Sequence, residues 1–266
     1  VTFTYTLSGA TSQAEVLPIL NSNSDERTTT AEVRGLLFSG TKYYTLGLNS
    51  VIGIINEVDD NSSNKLIIDL GSININSLNK LSMPVKLIKD LYDQTDSTIS
   101  IKSDYLLINI NREQMKSLLD KNQDINILIE FLDNGMISLR LVDNNNNNIH
   151  INSKFLIGVR RLASKENNLL CDEDNNLISF SIINGDYLIG LVTLPIILGQ
   201  IDNSKIFDDV KDIWYKEYVD FVTSRELFNG TGNGTFSPTI QMTRGMLATV
   251  LYRLSLSDNN IEIVNE

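Results

Sequence analysis

Cysteine and histidine occur once each among the 266 residues, as Cys171 and His150, and tryptophan occurs once, as Trp214. A single cysteine excludes an intramolecular disulfide. With one histidine beside it, zinc sites and Ser-His-Asp or Cys-His catalysis have almost no side chains to draw on. Positive charge is also short, with 22 Lys and Arg against 33 Asp and Glu and a net charge of −11. The cations are scattered without a basic stripe, which argues against nucleic acid as a partner. The same imbalance disfavours loose attraction to an anionic polymer, so any anionic ligand needs a local site. No apolar run approaches the ~18 residues of a membrane span, and no charged start with an apolar h-region is present. Membrane insertion is therefore not expected.

What is present is a hydrophobic share of 42%, enough for real cores. Residues 1–7 alternate as a strand that stops at Ser8-Gly9, and a Ser/Asn/Thr-rich piece follows over 21–30. Segment 1–27 reads as a leader strand and linker, or as the end of a preceding domain, and the abrupt start at Val1 predicts an excised fragment. From 28 to 200 the pattern predicts an α+β domain, with antiparallel hairpins and helices covering one sheet face. Expected elements are a helix over 50–58, a strand over 65–70, and a weak tandem repeat offset by about 27 residues. In its first copy a helix over 84–92 feeds strands over 98–101 and 105–110. In its second a helix capped by Asn111 feeds strands over 125–131 and 136–142. Asn134-Gly135 and Asn184-Gly185 predict tight hairpins. The asparagine run 144–148 reads as an exposed turn. Asp172-Glu-Asp-Asn-Asn opens like a calcium loop, but Leu177 and Ile183 stand where glycine and glutamate are required, so that reading fails.

The stretch 207–254, almost fifty residues, is the most specific. Phe207-Asp208-Asp209-Val210, Trp214, Asn229-Gly230, Gly234-Thr235-Phe236-Ser237-Pro238 and Thr243-Arg244 follow one another in order. Helical spacing predicts one helix carrying Tyr215, Tyr218, Val219 and Val222, and a second carrying Met246, Leu247, Val250, Leu251 and Leu254. A Gly-rich loop joins them. This order resembles a surface-layer homology (SLH) module, placed here at 201–258 with a tail over 259–266. Region 28–200 is similar, more loosely, to domains that precede such modules in clostridial cell-surface proteins. The resemblance implies a Gram-positive surface protein, extracellular at the cell wall or S-layer. It also implies non-covalent anchoring to a secondary cell wall polysaccharide. Family members commonly carry three modules packed as a three-fold prism. Further modules of the same chain, or a homotrimer, are thus implied partners.

Candidate binding residues follow from the resemblance and from chemistry together. Thr243 can cap the second helix, and Arg244 sits on its first turn, where free amides and the positive helix end favour an anion. Its planar fork suits a carboxylate, and the resemblance supplies one: the wall polysaccharides of this family often carry a pyruvate ketal. The competing role is a salt bridge to Asp208, Asp209 or Asp212. Trp214 can lie against a sugar ring or anchor the core at a helix start. Asp209 and Asp212 can accept sugar hydroxyls or cap the first helix. Gly230 and Gly232 allow tight turns and close backbone approach to a ligand. No Gly-Lys-Ser/Thr follows them, so a P-loop is rejected. The family's Thr-Arg-Ala-Glu reads Thr-Arg-Gly-Met here, and the capping box is expected to be lost. No catalytic residue, metal or cofactor is assigned, because no stretch brings two acids together with aromatics. The competing functions are the wall-anchoring end of a polysaccharide-degrading enzyme whose catalytic domain lies upstream, and an adhesion or spacer module.

Overall fold

The computed structural model describes residues 16–162, 168–178, 181–211 and 214–256. The leader strand over 1–9, Asp212 and the tail over 259–266 lie outside the described residues. Hairpin β1 (Ile19–Asn23) and β2 (Thr28–Glu32) is followed by β3 (Leu36–Phe38), β4 (Thr41–Thr45) and helix α1 (Leu48–Asp60). Next come β5 (Lys65–Asp69), β6 (Leu78–Met83), α2 (Val85–Gln94), β7 (Thr98–Lys102), β8 (Leu106–Ile110) and α3 (Arg112–Leu119). Strands β9 (Ile125–Phe131), β10 (Ile137–Val142), β11 (Phe155–Arg160), β12 (Asn168–Cys171), β13 (Ile182–Asn184), β14 (Tyr187–Val192) and β15 (Ile196–Asp202) complete the sheets. Two helices close the chain, α4 (Lys216–Ser224) and α5 (Arg244–Leu256). No helix among the described residues is long and apolar enough to cross a membrane.

The strands form two sheets, one of eight in the order β1-β2-β5-β7-β8-β11-β14-β13 and one of seven in the order β12-β15-β10-β9-β6-β4-β3. This overturns the α+β expectation. The fold before α4 is sandwich-like and mostly β, with three short helices. The reason lies in strands that pattern reading passed over. In β6, Asn79, Leu81 and Met83 point inward, and the buried Asn79 breaks the apolar alternation. Its side chain is satisfied by the carbonyls of Asn74 and Ser77 at 2.9 and 3.0 Å, so burial is tolerated. Strand β11, in the segment between the asparagine run and the next hairpin, was passed over as well. With these added, a second sheet supplies most of the cover that helices were expected to give. Leu66, Ile68, Ile99 and Ile108 of the first sheet share one core with Leu81, Ile127, Leu139 and Leu141 of the second. Leu87, Ile88, Leu91, Met115 and Leu118 of α2 and α3 join the same core.

The tandem repeat is present, but its copies separate. Hairpin β7-β8 after α2 lies in the first sheet, whereas β9-β10 after α3 lies in the second. Asn111 caps α3 as expected, accepting from the Gln114 amide at 2.9 Å while the Gln114 side chain accepts from Asn111 N at 2.6 Å. Arg112, the next residue, donates to the carbonyls of Tyr92 and Thr95 at 2.7 Å each, closing the end of α2.

A second likeness emerges only in three dimensions. Asp143 accepts from Asn145 N, Asn147 N and Asn147 Nδ2, and Asp172 accepts in the same way from Asp174 N, Asn176 N and Asn176 Nδ2. The asparagine run and the calcium-like stretch are therefore the same exposed turn. In each, the leading carboxylate is occupied by its own loop, and its pKa is held below the usual aspartate range by the asparagine four residues on. The turn at Gly135 has positive φ only at the glycine, with Gly135 N donating to Leu132 O at 2.9 Å. It is thus a type I turn with a bulge, not the expected two-residue loop.

Candidate functional site

Beyond β15 the chain folds around an aromatic nucleus. Phe236 packs edge-on against Phe207, centroids 5.6 Å apart, and tilted against Phe228 at 6.1 Å. Helix α4 turns Val219 and Thr223 inward, with Thr223 Oγ1 donating to Val219 O at 2.7 Å. Tyr218, expected on that inner face, is 60% exposed. Asn203 Nδ2 donates to Ser224 O at 2.6 Å, so the end of α4 is held against the connector from β15.

The loop between the helices is organised by Asp209. Its carboxylate accepts from Phe236 N at 2.8 Å and Ser237 N at 2.6 Å, and the Phe236 bond holds its pKa below the usual aspartate range. It does not cap α4, as one sequence reading had it; its carboxylate is engaged by the loop amides. Asp208 N donates to Gly234 O at 2.9 Å, and Thr231 N to Thr235 O at 2.9 Å. Gly230 has φ +75°, and a methyl group there would overlap the Thr235 carbonyl oxygen and come within 2.8 Å of the Phe207 ring. Only glycine fits. Gly232, at φ +104°, has nothing within 4 Å of a methyl position, so the space beside its Cα is open, while its carbonyl accepts from Thr235 N at 3.0 Å and Thr235 Oγ1 at 2.8 Å.

Thr243 caps α5, its hydroxyl accepting from Met246 N at 3.1 Å. The expected loss of the capping box is only partial. Met246 Sδ lies 3.5 Å from Thr243 N and accepts from it, a weak thioether acceptor standing where glutamate would serve. Arg253 at the far end of α5 donates to Leu227 O at 2.9 Å. Arg244 is exposed and makes no hydrogen bond, ion pair or ring contact among the described residues. The salt bridge to Asp208 or Asp209 is therefore not formed. Trp214 is 81% exposed and touches Tyr215 edge-on at 5.4 Å, so it is not a core anchor.

Residues 206–245 match the S-layer homology domain. No curated protein and no solved structure matches the chain. The matched segment is the C-terminal part of a chain whose preceding part is sheet-rich. It marks the protein as one associated with the cell surface or wall through an anchoring module. Within that module Asp209 and Gly230 build the loop, and Thr243 builds the helix start. Arg244, Trp214 and Gly232 are left facing outward. Among the described residues no contact joins Arg244 to Trp214, so a common ligand would have to span them.

Sequence reasoning missed Arg225. Its guanidinium lies 3.8 Å from the Phe221 ring centroid and donates to Ser181 O, tying the S-layer homology module to the sheets. The one legible signal was the i, i+4 spacing of Phe221 and Arg225. Ser181 is distant in sequence and could not have been paired with it.

Proposed function

We propose that this chain anchors a cell-surface protein non-covalently to an anionic secondary cell wall polysaccharide, with a pyruvylated sugar as the recognised end. The observation that carries the reading is Arg244. It is an exposed guanidinium on the first turn of a capped helix, with no carboxylate partner among the described residues. Such a group, beside a positive helix end, is a ready receptor for a carboxylate in a chain of net charge −11. Trp214 offers an exposed ring for the apolar side of a sugar, and Gly232 offers open space beside its Cα for close approach. Exposed Leu247, Leu251 and Tyr252 on α5 favour packing against further modules or against two more copies of the chain.

Sedimentation with purified cell walls tests this, before and after the wall polysaccharide is stripped. Binding should disappear with the polysaccharide and fall at least tenfold, about 1.4 kcal/mol, in Arg244→Ala. Equal sedimentation with stripped walls would sink the polysaccharide reading.

A further inference from the structure

Four Asn-Gly pairs occur in this chain, at 134–135, 184–185, 229–230 and 233–234, and the fold treats them differently. Gly135 N is engaged with Leu132 O, and Asn134 Oδ1 accepts from Met136 N at 3.1 Å. Asn184 is paired with Tyr187 in the β13-β14 ladder. Gly230 is wedged between the Thr235 carbonyl and the Phe207 ring. Asn233-Gly234 alone carries none of these restraints. Both residues are exposed, and the Asn233 side chain, the Asn233 backbone groups and Gly234 N make no hydrogen bond among the described residues. Asn233 is held at φ +52° and Gly234 at φ +74°, in a turn closed by Thr235 N donating to Gly232 O at 3.0 Å and tied to Asp208 N through the Gly234 carbonyl at 2.9 Å.

We infer that Asn233-Gly234 is a self-modification site at which the asparagine amide is lost through a cyclic imide. Gly234 N attacks Asn233 Cγ, the new N–Cγ bond forms, and the Cγ–Nδ2 bond breaks. The nitrogen's proton leaves with the amide as ammonia. Solvent water then opens the ring. Attack at Cγ gives an ordinary aspartyl link, and attack at the main-chain carbonyl gives an isoaspartyl link. No oxidant or reductant takes part. Glycine matters at the second position because no side chain shields its nitrogen. Free rotation about the Asn233 Cα–C bond matters because the nitrogen and Cγ must be brought together.

The products change the loop. Either one adds a carboxylate to a turn whose Gly234 already lies 3.4 Å, at its methyl position, from Asp208 Oδ2. The isoaspartyl form also lengthens the main chain between the Gly232–Thr235 closure and the Asp208 N to Gly234 O bond. If the module holds an anionic polymer, as proposed above, the modified form releases it, and the anchor ages.

The full chain is incubated at mildly alkaline pH and mapped by peptide mass spectrometry, with enzymatic methylation to count isoaspartate. Asn233 should convert several-fold ahead of Asn134, Asn184 and Asn229. Retention of the Asn233 amide while another pair converts, or equal conversion of all four, overturns the inference. Asn233→Gly keeps the positive φ and should abolish the isoaspartate signal at position 233. Aged wild-type protein should lose wall sedimentation while aged Asn233→Gly keeps it. Fresh protein that never sediments would instead count against the anchoring reading, and the mass map would still decide the modification.

Discussion

Arg225 donates two hydrogen bonds, at 2.8 and 3.1 Å, to one carbonyl oxygen, that of Ser181. The donor closes α4 and the acceptor precedes β13, so this fork joins the module to the eight-stranded sheet. Burial lowers the pKa of Arg225 to about 10, and no carboxylate pairs with it among the described residues. Arg225→Ala should destabilise the module by about 1.5 kcal/mol, the low end for a charged donor because solvent still reaches the group. Arg225→Lys should recover little, since an ammonium cannot fork or stack in the same way. Calorimetry reads both variants. An unchanged transition in Arg225→Ala would mean that other contacts hold the module in place.

Asp209 gives the module an acid-sensitive latch. Its pKa is lowered from 3.8 by the Phe236 amide first and the Ser237 amide after it. For a depressed carboxylate the stabilisation is fully present above 3.8 and is lost as pH falls through the lower folded value. Asp209→Asn should flatten this acid limb and lower the melting temperature at neutral pH. An acid limb identical to wild type would remove Asp209 from that role.

Two glycines of the loop should respond differently to alanine. At Gly230 the methyl overlaps the Thr235 carbonyl at a positive φ, and at least about 2 kcal/mol should be lost. At Gly232 the methyl enters open space, so only the backbone penalty of about 1 kcal/mol remains. Wall binding should be more affected than stability in Gly232→Ala if its backbone meets the ligand. Equal destabilisation in the two variants would contradict this packing.

Met246→Gln should strengthen α5. An amide oxygen replaces the weak sulfur acceptor 3.5 Å from Thr243 N and completes the capping box without adding charge beside Arg244. A gain of about 0.5 kcal/mol in thermal or urea unfolding is expected. A loss would show that the packing of the half-buried Met246 outweighs its role at the helix start.

In the sheets, Tyr44 is fully buried and its hydroxyl lacks a hydrogen-bond partner among the described residues. Burial raises its pKa from 10.0 to about 12. Stability tied to its protonated form is therefore complete below pH 10.0 and is lost as pH rises through about 12. Tyr44→Phe should stabilise the fold by about 1 kcal/mol, because it removes a buried donor that is not satisfied. It should also delay alkaline unfolding followed by circular dichroism. A destabilised Tyr44→Phe would indicate a partner for the hydroxyl, such as a bound water.

Sequence alone determined what depends on neighbours along the chain. Asn111 and Gln114 specify the start of α3, alternation specifies β5 and β8, and Asn144 to Asn148 specify a turn. The ordered run from Phe207 to Arg244 specified the S-layer homology module, because its loop closes within that run. Tertiary structure decided what depends on distant pairing. Parallel β2-β5-β7 and β4-β6 ladders divide consecutive elements between two sheets, and no local periodicity says which sheet a strand joins. It also decided the partners of single side chains. Asp209 went to the loop instead of a helix cap, Arg225 went to Ser181, and Arg244 was left without a carboxylate among the described residues. A side chain several ångströms long reaches whatever the fold brings near it, and that neighbour is set by the packing of the whole chain.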